Sequence, residues 1–182
     1  MKKILTPFNI LIILFIASFS TAMALETNDE KEKLVADFER AKAFTAEYME
    51  AMPAEGFSSK PTTDIRSFAQ QFLHIAGANY MFGSMIAGVD NPKDGVEFEK
   101  DEQFQTKEAC MKAVNESFDF IIETIKGMPN ESFESDVKLF GQFEMSKGVA
   151  FAKAFEHLTH HRGQTTIYLR LQGVTPPSER LF

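Results

Sequence analysis

Four histidines occur in the chain, and three of them crowd into His157-Leu158-Thr159-His160-His161. On an α-helix residues four apart share a face, so His157 and His161 can offer two imidazole nitrogens to one ion. Two ligands underfill a divalent transition metal. The third must come from elsewhere in the chain, and His74 is the only histidine left to supply it. His160 lies three residues from His157 and competes with His161 for the second position. Its direction is about 100° from His161 and off the apolar stripe, so His161 is the better ligand. The chemistry implied is that of a metal held by neutral imidazoles with a coordination position left open. Such an ion can activate a nucleophile or polarise a substrate.

Other chemistries find no support. There is no His-Glu-x-x-His, no Cys-x-x-Cys-His, no Gly-x-Ser-x-Gly and no glycine-rich phosphate loop. Haem held by a histidine and Met81 or Met85 is a weaker alternative. Cys110 is the only cysteine, so an internal disulfide is impossible, and a small core residue is the expectation for it.

The segment that carries the histidines must be a helix, and apolar spacing places it with three others. Leu34, Phe38, Ala41, Thr45, Tyr48 and Met52 recur at steps of four and three, and Pro53 ends that helix. A second helix is expected to open at an Asp64 N-cap and to run through Phe68, Phe72, Ile75, Asn79 and Phe82, apolar nearly all round and therefore the most buried. Thr106 caps a third through Cys110, Val114, Ile121 and Ile125, stopped at Gly127 and Pro129. The fourth starts near Ser146 and ends at Gly173 and Pro176-Pro177. Between them, 90–105 reads as a long acidic surface connection, and 130–144 holds a short extended piece around Val137-Phe140. The fold class expected is all-α, a four-helix bundle.

Lys2 and Lys3 precede an apolar run from Ile10 to Ala17, and Ala22-Met23-Ala24 has the small-x-small pattern of a cleavage site. Residues 1–24 therefore read as a signal peptide and 25–182 as the domain, which would be periplasmic or secreted. A retained membrane anchor is the competing reading. The whole chain has 19 basic against 26 acidic residues, and losing Lys2 and Lys3 makes the balance more acidic, which disfavours a nucleic-acid partner. With the signal removed no membrane attachment is expected. A small-molecule substrate fits a site of this kind, and a homodimer is left open.

The run His157 to Thr166, HLTHHRGQTT, followed by IYLRLQG and Pro176-Pro177, resembles the last helix of the DinB-like family, also called DinB/YfiT-like metalloenzymes. The resemblance extends more loosely to His74 in Phe-Leu-His-Ile-Ala-Gly-Ala-Asn. It implies an up-down-down-up bundle with a three-histidine site for zinc, nickel or a similar ion, whose ligands are His74, His157 and His161, with His160 outside the set. Members with known activity are metal-dependent transferases of low-molecular-weight thiols; such thiols are mainly cytoplasmic, so the predicted export sets this chain apart and argues against thiol transfer. A metal-dependent hydrolase or transferase is the leading function, and a non-catalytic metal-binding bundle the alternative. Gln164 and Tyr168 follow His161 on one face and are the candidate pocket groups. Arg162 is expected to pair with an acid on a neighbouring helix, and Gly163 to permit close helix packing.

Overall fold

The helix boundaries follow from the side chains that satisfy the first free amides of each turn. In the computed structural model, which describes residues 30–181, Thr106 accepts from the Ala109 amide and opens α3, Lys107–Gly127. Ser146 accepts from Val149 and opens α4, Lys147–Leu171. Helix α1 spans 30–51. The cap of α2, Phe68–Ala87, is Ser67 and not Asp64. Ser67 and Gln70 form a reciprocal capping box, which satisfies two amides at once where Asp64 alone would satisfy one. Asp64 is left exposed in the turn before it. Gly88, at φ 75°, closes α2 in the left-handed conformation that glycine adopts freely.

Contacts between the helices fix their directions. Lys107, at the start of α3, donates to the carbonyls of Glu50 and Met52 at the end of α1, while Lys31 reaches Met128 just past α3, so these two are antiparallel. Cys110 meets Ala69 and Asn79 meets Ser117, so α2 and α3 run parallel. Gln71 meets Gln164, and His74 meets His157, so α2 and α4 are antiparallel. Tyr48 meets Thr166, which makes α1 and α4 parallel. The result is an up-down-down-up four-helix bundle. The core runs its length through Phe38, Met49, Phe72, Ile75, Phe118 and Phe151, none of them accessible to solvent. Each such side chain contributes roughly 1.5–3 kcal/mol by burial. α2 is indeed buried on most of its surface.

A parallel α2–α3 pair requires a connection that returns the full length of the bundle. Residues 88–106 make it, and they are not only surface: Phe98 is 5% exposed and stacks on Tyr80 at 5.9 Å. The second long connection contains an antiparallel hairpin, β1 Asp136–Leu139 paired with β2 Phe143–Ser146. At its turn Phe140 (φ 53°) and Gly141 (φ 70°) are both left-handed, a conformation unusual for an aromatic residue. Cys110 is buried, which pushes its thiol up to about 12, and it serves as a core residue. Among the described residues, no helix is long and apolar enough to cross a membrane. The predicted signal peptide, 1–24, lies outside the described residues.

Candidate metal centre

Antiparallel packing of α2 on α4 brings His74, His157 and His161 together, each with one ligand atom within 4.8 Å of the others. Ring centroids stand 5.0 Å apart for His74 and His157, 4.4 Å for His74 and His161, and 4.6 Å for His157 and His161. His160 turns away. It is exposed, and its Nε2 accepts from the Gln164 amide at 2.8 Å.

Hydrogen bonds behind the rings decide which nitrogens face the common point. Gln71 spends both amide hydrogens, one on Gln164 Oε1 at 2.7 Å and one on the Tyr168 hydroxyl at 3.3 Å. Its Oε1 must then accept, and it does so from His161 Nδ1 at 2.9 Å, leaving the Nε2 lone pair of His161 available. Tyr168 in turn donates to the Arg66 carbonyl at 2.6 Å. On His74, Nδ1 donates to Glu99 Oε1 at 2.6 Å, while the other carboxylate oxygen accepts from Arg66 Nε at 2.5 Å. His74 therefore also presents Nε2. His157 Nε2 lies 3.1 Å from His74 Nε2, and its Nδ1 is buried without a partner.

These residues fit a divalent ion. Bonds of 2.0–2.1 Å in tetrahedral geometry place ligand nitrogens about 3.3 Å apart, close to the separation of His74 and His157. Without an ion that contact is a hydrogen bond from His157 to His74; to hold an ion through Nε2 while neutral, His157 would carry its proton on Nδ1 instead. Burial, then the neighbouring imidazoles and Arg66, lower His157 to about 4 and His161 to about 3. Both rings are neutral at neutral pH, the form that ligates. For Glu99, burial raises the pKa, but the hydrogen bonds and charges of His74 and Arg66 outweigh it and bring the carboxyl down to about 2.

The cluster opens on a cleft of about 920 Å³ between α2, the 88–106 connection and the hairpin tip. His74 and His157 lie on its wall with Leu73, Met81, Phe82 and Phe140, and Arg66, Glu97, Glu99 and Lys100 mark its rim. Phe140 meets Phe82 edge-on at 5.9 Å, so the left-handed turn aims an aromatic ring at the mouth.

Residues 23–180 match the DinB family. The chain belongs to that family. Two solved structures share the fold: a DinB-like protein from Bacillus cereus ATCC 10987, with TM-score 0.70, 14% identity, and 82% of this chain and 97% of that one covered; and a DinB-like protein from Bacillus subtilis, with TM-score 0.63, 19% identity, and 82% and 96% covered. Among curated proteins, none matches the chain.

Within this DinB-family bundle several residues stand differently from their sequence-based expectations. Gln164 and Tyr168 do not line the cleft; they hold Gln71, one step behind His161. Arg162 is buried and has no acid partner among the described residues: it lies over the Phe44 ring at 4.6 Å. Gly163 is exposed, and a Cβ there would meet nothing within 4 Å, so close helix packing does not account for it. Glu99 and Arg66 were not legible as site residues. Glu99 sits among other acids in an aperiodic stretch, and nothing local distinguishes it from a solvated charge.

Proposed function

We propose that this DinB-family protein is an exported metal-dependent enzyme, a hydrolase or group transferase, using zinc or nickel held by His74, His157 and His161. One observation carries the reading: two of the three imidazoles, His74 and His157, form part of the wall of a substrate-sized cleft. A purely structural site would be closed by a fourth protein ligand, and among the described residues no fourth histidine, cysteine or carboxylate joins the cluster. The spacing of the three rings suits ligands of one ion. A bound divalent ion would supply Lewis acidity at that wall.

The chain's own side chains would do the rest. Gln71 and Glu99 hold two rings in the ligating tautomer, and Arg66 holds Glu99. Glu99 has both oxygens engaged and a low pKa, so it orients and does not act as a free base. Leu73, Met81, Phe82 and Phe140 would shed water from around an apolar substrate body. Export is supported by the Lys2-Lys3, apolar-run and Ala22-Met23-Ala24 pattern, and the family match begins beside that cleavage pattern.

The test is elemental analysis of protein recovered from its native host, followed by hydrolysis and thiol-transfer assays on zinc-loaded, nickel-loaded and stripped chain. About one metal per chain and turnover that requires it would support the proposal. Metal without any turnover would leave the non-catalytic bundle, and recovery from the cytoplasm with residues 1–24 intact would remove export.

A further inference from the structure

Helix α4 carries a second unusual side chain, on the side turned away from the imidazoles. Arg162 follows His161 directly and lines a separate cavity of about 490 Å³ between α1, α4 and the chain's last segment. Its residue exposure is 6%. A buried guanidinium normally has a carboxylate, because an uncompensated charge is costly away from water. This one has none. Its contacts are a long Nη1 hydrogen bond to the Ala41 carbonyl at 3.5 Å and the face of Phe44. Nε and Nη2 make no hydrogen bond to the described residues.

The other arginines on the same wall show the contrast. Arg40 is paired with Asp37 and donates to the Arg180 carbonyl at 2.9 Å, and Arg180 is paired with Glu47. Glu179, the one acid among the described residues that line the cavity, is exposed and makes neither a hydrogen bond nor an ion pair with Arg162. Around the guanidinium the cavity offers Phe44 and Phe155 as apolar surface, and the hydroxyls of Tyr48 and Thr166, 3.1 Å apart, as polar groups.

We propose that this cavity binds a small organic anion, its carboxylate or phosphate taken by the free side of the Arg162 fork and its apolar body seated between Phe44 and Phe155. The planar fork matches either oxyanion in two-point fashion. A bound anion would supply the counter-charge that no described residue places beside this buried guanidinium.

The whole chain, without added metal and again with zinc, is titrated calorimetrically with phenylacetate, phenyl phosphate and inorganic phosphate, with benzyl alcohol as the uncharged control. Amide chemical shifts locate the binding. Phenylacetate or phenyl phosphate should saturate at one per chain, shift amides near 40–48 and 159–166, and bind at least tenfold more tightly than benzyl alcohol, equally with and without zinc. Arg162→Gln should weaken binding tenfold or more. If that variant does not fold, Gly163→Leu answers alone: the added side chain has open space before it and fills the cavity without entering the core. Absence of saturable binding by all three anions, equal binding of benzyl alcohol, dependence on zinc, or binding that survives the variants would overturn the proposal. Inorganic phosphate binding as tightly as phenyl phosphate would remove the apolar body from it.

Discussion

Helix α2 packs against two neighbours in opposite ways. Toward α3 the seam is mostly apolar and tight: Val114, Phe118, Ile121 and Ile125 are fully buried, a Cβ on Gly83 would stand 3.0 Å from Phe120, and at its polar pair Asn79 donates to Ser117 at 3.1 Å while Ser117 donates to the Val114 carbonyl. Toward α4 the same helix presents Gln71 and His74 to Gln164, Tyr168, His157 and His161. Apart from that pair, the first seam needs only matched volume. The second needs every donor and acceptor assigned, and one atom, His157 Nδ1, is left without a partner. A bundle can carry such a seam because the other one supplies stability without it.

If that division holds, Phe118→Ala should cost about 3–5 kcal/mol of stability in denaturant titration, with metal content per folded chain unchanged. A comparable stability loss with lost metal would show that the seams are not separable. His161→Ala should do the reverse job on the site, lowering bound metal from about one per chain to near zero by elemental analysis, while His160→Ala leaves it near one. Equal losses from the two variants would mean that the wrong histidine has been assigned.

Glu99→Gln sharpens the comparison by touching only the support of a ligand. Gln can still accept from His74 Nδ1 but brings no charge, so we expect metal affinity to fall roughly 10- to 100-fold in competition with a chromophoric chelator. An unchanged affinity would reduce Glu99 to a surface partner of Arg66.

Acid should act on the polar seam first. His157 and His161 have folded pKa values of about 4 and 3, below the ordinary 6.5, so the unfolded chain binds more protons as pH falls below 6.5. The stability of the stripped protein should therefore decline from about pH 6.5 toward 3. Glu99, lowered from 4.5 to about 2, adds a loss in the same direction from about pH 4.5 downward. His161→Ala should flatten the upper part of a stability-against-pH curve, and an equal slope in that variant would assign the loss elsewhere. Metal affinity should weaken at lower pH, as the folded-state imidazoles of His157 and His161 take up protons from about pH 4 toward 3. The smallest expected effect is Gly163→Ala, a gain of up to about 1 kcal/mol in thermal melts, because the position is helical and open.

The amino-acid sequence by itself determined the four helices, the Thr106 cap, the start of the fourth helix near Ser146, and the pairing of His157 with His161, because these depend on spacing within one segment. It also placed His74 on the face that meets them. The Ser67 cap was missed because a capping box is a reciprocal contact, weighed against a single nearby aspartate. What only tertiary structure decided is the company these residues keep: Glu99 reaching His74 from a stretch without periodicity, Gln71 turning His161, and Arg162 buried with no acid of the described residues beside it. Periodicity reports which face of an element is apolar. It carries no information about which side chain of a distant, aperiodic connection will complete a hydrogen bond there.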